Sequence, residues 1–394
     1  MKKMMKLSAL VMAAAMLLVL LSGCGQQNTI PEEILDHVFD MGTYTNLNYK
    51  AAEKFFAERN DNWGGGCSCV ATVTDAGETL VGRNMDLNIS RKAAYVFRTS
   101  CKGCYDTVGL AYTYRDYSPD YEMVKLYGVD KDFEDLLPFI ADDVLNSEGL
   151  YIEVNMRYGE CWPTGDAKFS CSGTNPDSDE RVYMFELSRY IGEHCATVDE
   201  ALEYVKTLNI YSQDGYWNYC FILADATGHY GLLEFGMDEI FWTDYQHAQA
   251  NFYVNEELAE LQTLKCGVGR YELLMNGIDA VQSEEDMYDL IRQVSYSQVY
   301  DPSTCPFDTL SENVGAYPFA TYDFVTDQEV SDFVIELEQL KGDYVRNLSR
   351  EEKEFANEFW ESTFTEVINC NERTLFVRFF EDEDRTLTLG FEEQ

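Results

Sequence analysis

The chain has 394 residues, of which 70 are acidic and 29 basic, for a formal net charge of -41 at pH 7. Such an exterior repels a phosphate backbone or an anionic membrane surface, so the composition argues against nucleic acid as a partner. The acid is spread along the chain and aromatic residues make up 14% of it, which argues for an acid-shelled, aromatic-rich core and against disorder.

In chain order, Met1 to Lys6 carry three lysines and lead into the apolar run Leu7 to Leu21, which stops at Ser22, Gly23 and Cys24. This is the pattern of a secretory signal, and the run is shorter than the ~20 residues a membrane span needs. Leu21-Ser22-Gly23-Cys24 resembles the lipobox of bacterial lipoproteins. That resemblance implies a signal peptide over 1–23, a lipid on Cys24 and an extracytoplasmic location, anchored to the bacterial cell membrane or released after processing. Residues 24–66 then read as a propeptide or small chain. They hold an expected helix from Tyr49 to Arg59 and end on Trp63-Gly64-Gly65-Gly66, an open joint immediately before Cys67.

Cys67 heads the next stretch, where Val70–Thr74 and Thr79–Gly82 flank the turn Asp75-Ala76-Gly77 as a hairpin. A helix is expected over Lys131–Leu145. After it Leu150, Ile152 and Val154 alternate with Tyr151, Glu153 and Asn155, as in a strand with two unlike faces. Two helices are expected at Arg181–His194 and Thr197–Leu208, the second opened by the capping box Thr197-Val198-Asp199-Glu200. A second hairpin follows at Tyr219–Asp225 and Tyr230–Phe235 about Ala226-Thr227-Gly228, with a strand near Asn251–Val254. Helices over Gly269–Ile278 and Ser283–Val294 precede a last hairpin, Thr374–Phe380 and Thr386–Phe391, interrupted by Glu381-Asp382-Glu383-Asp384. Hairpins in groups, with helices between the groups, predict an α+β layout of antiparallel sheets covered by helices. No linker divides residues 67–394, which read as one domain.

The 12 cysteines become ten when Cys24 and Cys67 are set aside, an even number that permits disulfides without specifying their pairing. Cys101-Lys102-Gly103-Cys104 has the spacing of a redox or metal pair, but no second C-x-x-C accompanies it. A structural disulfide or buried free thiols is the expectation there. The 4 histidines, His37, His194, His229 and His247, stand far apart and offer a metal centre little to build on.

The segment from Cys67-Ser68-Cys69 through Gly82-Arg83-Asn84-Met85-Asp86 carries the chemistry. It resembles the choloylglycine hydrolase family of linear amide C–N hydrolases, which includes bile salt hydrolases, penicillin V acylases and acid ceramidase. In that family an arginine stands sixteen positions after a nucleophilic cysteine. Arg83 is sixteen after Cys67 and fourteen after Cys69, so the match selects Cys67. The physical logic holds without the family. A thiol with a pKa of about 8.5 needs a base or a cation to attack an amide, and a free α-amino group of pKa roughly 7.7 to 8.0 serves as that base without histidine.

The resemblance extends through Asn146-Ser147-Glu148-Gly149-Leu150, the stretch Leu223 to Gly228 with Glu234, Ala250-Asn251-Phe252 and Gly267-Val268-Gly269-Arg270-Tyr271. It departs from the family at Ala250, where a threonine is usual, and in the Gly149–Asn155 spacing, one residue short of some members. It implies a four-layer αββα N-terminal nucleophile hydrolase fold and a thioester acyl-enzyme on Cys67. By the same resemblance Arg83 lowers the thiol's pKa, Asp86 orients the α-amino group and Asn251 donates to the oxyanion. Asn155 contacts substrate or oxyanion, and Arg270 is a second active-site arginine. No cofactor is implied, and the partner is a small-molecule amide: a bile salt, penicillin V, an N-acyl homoserine lactone or a long-chain N-acyl amine. Because the α-amino group exists only once Gly66–Cys67 is cut, autocatalytic cleavage is expected there. Two other readings stay open: an inactive surface lipoprotein that binds acylated ligands on the same scaffold, and a thiol oxidoreductase using Cys101 and Cys104. Oligomeric state is left open.

Overall fold

The structure, a computed structural model, describes residues 38–47, 66–87, 92–114, 138–139, 141–156, 173–211, 219–236, 239–259, 267–295 and 361–391. The signal segment, Cys24, the helix expected over Tyr49–Arg59 and the first two glycines of the joint lie outside these residues.

In the first half of the chain the strands are β1 (Val38–Tyr44), β2 (Gly66–Val73), β3 (Thr79–Leu87), β4 (Lys92–Thr99), β5 (Thr107–Tyr114), β6 (Asp143–Asn146), β7 (Tyr151–Met156) and β8 (Arg181–Tyr183). They are followed by β9 (Asn209–Tyr211), β10 (Tyr219–Ala224), β11 (Tyr230–Gly236), β12 (Glu239–Asp244), β13 (Ala248–Gln249), β14 (Glu361–Asn369), β15 (Thr374–Phe379) and β16 (Thr386–Gly390). The main helices are α1 (Leu187–His194), α2 (Val198–Val205), α3 (Val268–Gly277) and α4 (Glu284–Ile291).

One sheet runs β13-β2-β3-β14-β15-β16, antiparallel at every pairing. The other runs β1-β4-β5-β6-β7-β10-β11-β12 and is antiparallel except for β1 beside β4. Side-chain alternation along the strands sorts the apolar residues into three layers. Phe97, Ile152, Leu223 and Phe235 of the larger sheet pack on Ile191 of α1 and Val198 of α2. Val96, Leu110 and Ile222 on its other face meet Cys67, Cys69, Ala71, Val81 and Phe364 of the smaller sheet. Val70, Leu80 and Val367 on the far side of that sheet meet Leu274 of α3 and Met287 and Ile291 of α4. The order is therefore helix, sheet, sheet, helix, the αββα layering the resemblance implies. Each sheet is covered on both faces, which is why β10 and β11 are buried at every position.

Local chemistry explains where elements begin. Thr197 caps α2 by accepting from the Glu200 backbone N–H, and Glu200 reaches back to the Ala196 N–H at 2.7 Å, close to the expected capping box. Ser283 does the same for α4 through Asp286. The hairpins at β2–β3, β10–β11 and β15–β16 fall where turn residues placed them.

Three expectations are corrected. The helix over Lys131–Leu145 does not reach its end: residues 143–146 form β6, hydrogen-bonded between β5 and β7 and buried on both faces, while 131–137 lie outside the described residues. Its apolar spacing fits either element, and tertiary pairing decides. The helix over Arg181–His194 begins at Leu187, because Arg181–Tyr183 pair in parallel with β9 before a single 3-10 turn. The strand near Asn251–Val254 lies earlier, at Ala248–Gln249, where it pairs with Val70 and Cys69. Val254 and Asn255 instead donate their N–H groups to Glu234, at 3.1 and 2.8 Å.

Candidate active site

Cys67 is the second residue of β2, an inner strand of the smaller sheet, and only 2% exposed. Its Sγ lies 3.6 Å from Met85 Sδ across the β2–β3 ladder. Its backbone N–H donates to Asn251 Oδ1 at 3.3 Å, and its carbonyl accepts from Arg270 Nη1 at 2.6 Å. Arg270 also donates from Nη1 to Ser68 Oγ at 2.5 Å and from Nη2 to Asn251 Oδ1 at 2.6 Å. Asn251 and Arg270 thus converge on the Cys67 backbone from two elements remote from it in sequence.

Two features deliver that pair. Glu234 in β11 binds the backbone just beyond Asn251 and holds its segment against the larger sheet. Gly267 caps α3 at φ 82°, a left-handed conformation that favours glycine, and a Cβ there would sit 2.5 Å from Arg270 Nη2. Asn155 lies in β7 opposite Cys220 and shares a face with Tyr151 and Glu153, so it faces the layer between the sheets. It is fully buried, and among the described residues neither Nδ2 nor Oδ1 has a hydrogen-bond partner. An amide left so costs about 1 to 3 kcal/mol, a burden that an incoming polar group relieves.

Arg83 sends its hydrogen bonds away from Cys67. Its guanidinium donates from Nε to Glu153 Oε2 and from Nη2 to the Val154 carbonyl, each at 2.9 Å, and pairs with Asp143 at 2.9 Å. Burial works against the cation, but Asp143, the Cys67 thiolate and Glu153 outweigh it and hold Arg83 charged. It therefore feels Cys67 through space while its hydrogen bonds go to the larger sheet. Asp86 is paired across the ladder with Gly66, level with the Gly66–Cys67 peptide, and its carboxylate accepts from the Ser362 hydroxyl.

Cys69 is distinguished from Cys67 by its surroundings. Its thiol is hydrogen-bonded to Glu153, and burial, reinforced by that carboxylate, pushes it well above the ordinary thiol range. A thiol held neutral in this way is a poor nucleophile. The seven described cysteines, Cys67, Cys69, Cys101, Cys104, Cys195, Cys220 and Cys370, are free thiols. Cys101 and Cys104 are half-buried at the β4–β5 tip, and burial raises both.

Several residues were not singled out in the sequence: Asp143, Tyr151, Glu153 and Glu366, all fully buried between the sheets around Arg83. A carboxylate inside an apolar strand run, as at Glu153 and Glu366, is the signal that marks them. Two quoted stretches prove to be scaffolding. Asn146 ties its turn to α1, donating to the Gly192 and Cys195 carbonyls and accepting from the Glu148 and Leu150 N–H groups. Asp225 Oδ2 accepts from Val198 N–H at the start of α2, and its Oδ1 from Thr227 in its own turn.

Fold and site together define a class: an αββα sandwich with a cysteine near the head of an inner strand, its backbone gripped by an asparagine and an arginine. Among solved structures, two variants of the conjugated bile acid hydrolase from Clostridium perfringens are similar, each at 12% identity and TM-score 0.39, covering 82% of this chain and 92% of that chain. The penicillin V acylase from Agrobacterium tumefaciens is similar at 12% identity and TM-score 0.37, covering 79% of this chain and 83% of that chain. No protein-family model matches the sequence, and no curated protein sequence does.

Proposed function

We propose that this chain is a cysteine-nucleophile hydrolase of linear, non-peptide amides, of the choloylglycine hydrolase type, activated by cleavage before Cys67. The observation that carries the reading is the grip on the Cys67 backbone: the nitrogen that would become the α-amine already rests on Asn251 Oδ1, and Arg270 pins that oxygen. In this reading Asn251 is also the donor to the oxyanion. Asn155, unpartnered in the same layer, is the second polar contact.

In the reaction the α-amine takes the Cys67 thiol proton, and the thiolate adds to the amide carbonyl. The tetrahedral oxyanion collapses to a thioester as the leaving amine receives that proton, and water then hydrolyses the thioester to release acid and restore the thiol. Loss of an oxyanion donor costs roughly a hundredfold or more in rate. In the same proposal, Cys24 bears a lipid that anchors the unprocessed chain to the extracytoplasmic membrane face.

The test is a panel of acylated amines assayed by released amine. Cys67→Ala should abolish turnover, whereas Cys69→Ala should not. Mass spectrometry of the active protein should find Cys67 at a chain start, and full activity with an intact Gly66–Cys67 bond would sink the maturation step.

A further inference from the structure

Among the described residues, the layer between the sheets holds more negative charge than its one cation can balance. Arg83 from β3 is surrounded by Asp143 of β6, Glu153 of β7 and Glu366 of β14, and all four side chains are fully buried. Unpaired carboxylates in a dry interior take up protons. The hydrogen bonds say where. The Tyr151 hydroxyl lies 2.9 Å from Asp143 Oδ1 and 3.1 Å from Glu366 Oε2. A phenol has one hydrogen to donate, so a full hydrogen bond to each carboxyl is made only when one of them is a carboxylic acid donating to the phenol oxygen. The geometry of the bridge thus points to one shared proton.

Among the described residues the strands lining the layer offer no second cation, and Arg270 reaches the Cys67 carbonyl from α3. β2 contributes the thiols of Cys67 and Cys69 and β10 that of Cys220. β4 and β5 bring Ala94, Val96, Val108 and Leu110. Arg378 of β15 is turned to the other face, bonded to Thr365 and Glu383. Among the described residues no group of three or more side chains suited to hold a metal ion occurs.

We propose that Asp143 and Glu366 share one proton across Tyr151 and act, through Arg83, as positioning residues for the Cys67 thiol. The proposal rests on the reading of Cys67 as nucleophile. With the proton in place, the cluster carries two anionic carboxylates against Arg83. When it leaves to solvent, a third negative charge appears and the field that favours the Cys67 thiolate weakens. Burial, opposed by Arg83, pushes Asp143 up to about 7, which puts this loss near neutral pH. Burial and the neighbouring Asp143 push Glu366 well above the usual carboxylate range.

Two measurements test it without a substrate. Infrared spectra of the full chain at neutral pH should show the carbonyl band of a buried carboxylic acid, diminished in Glu366→Gln. The ultraviolet thiolate absorbance of Cys67, taken as the difference between each protein and its Cys67→Ser counterpart, should titrate at lower pH in Asp143→Asn than in the parent. Above about pH 7, where the parent cluster has lost its proton, the thiolate fraction should be higher in the variant by about tenfold, as expected for removing a nearby negative charge. Tyr151→Phe keeps both carboxyls and should move the carboxylic-acid band's titration without abolishing it. A parent with no such band overturns the proposal. So does a Cys67 titration unchanged in every variant that melts like the parent. Turnover surviving Cys67→Ala would sink the hydrolase reading and leave these results standing.

Discussion

Two buried arginines in this chain are built on opposite plans. Arg189 of α1 pairs with Glu193 one turn along its own helix at 2.7 Å, with Glu186 at 4.0 Å, and lies over the rings of Phe139 and Tyr190. Its nearest ion-pair partner is local, and the helix that presents the cation presents that anion. Arg83 draws Asp143, Glu153 and Glu366 from three strands, beside a cysteine of a fourth. A buried pair made within one helix needs nothing beyond that helix to form. A charge cluster gathered from four strands carries a desolvation cost that packing alone does not explain. Such excess, next to the proposed nucleophile, supports a functional reading of the cluster.

The comparison yields predictions of decreasing size. Arg83→Met removes the only cation among three buried carboxylates and should destabilise the fold by about 3 to 5 kcal/mol at neutral pH. Chemical denaturation would show this, and the loss should shrink on acidification as the carboxyls take up protons. A denaturation midpoint unchanged at neutral pH would erase the distinction between the two arginines.

Gly267→Ala tests how Arg270 reaches Cys67. The added Cβ would fall 2.5 Å from Arg270 Nη2 at a φ of 82°. Displacing the guanidinium should lower turnover by roughly a hundredfold, the usual result of misplacing an active-site group by about 1 Å. Melting should change far less than turnover, since the α3 core residue Leu274 is untouched.

The third prediction concerns pH. A buried carboxyl raised above its unfolded value, about 4, contributes stability that is complete below that value and is lost as pH climbs through its folded value. For Asp143 the window runs up to about 7. The parent's melting temperature should therefore fall between these limits, and Asp143→Asn should flatten the fall. The opposite slope would mean that Asp143 is ionised throughout.

The smallest effect is expected at the helix-borne pair. Replacing Arg189 and Glu193 together by Met and Leu exchanges a local ion pair for apolar volume, which should leave stability within about 1 kcal/mol of the parent or raise it. A large loss would show that this pair, too, does more than fill space.

Much of the outline was legible along the chain because it rests on short-range physics. Turn residues placed three hairpins, Thr197 and Ser283 placed two helix starts, and alternation in Leu150–Asn155 put Asn155 on a face with Tyr151 and Glu153. Spacing to Arg83 separated Cys67 from Cys69, and the Glu153 carboxylate against the Cys69 thiol supplies a physical reason for the same choice. What the linear chain left undecided has one cause. Whether 143–146 is helix or strand depends on β5 and β7 standing to either side. The partners of Arg83 are set by the stacking of two sheets, since burial and charge balance are properties of neighbours that sequence separates. Only the folded layers bring Asp143, Tyr151, Glu153 and Glu366 around one guanidinium, and with them the shared proton proposed above.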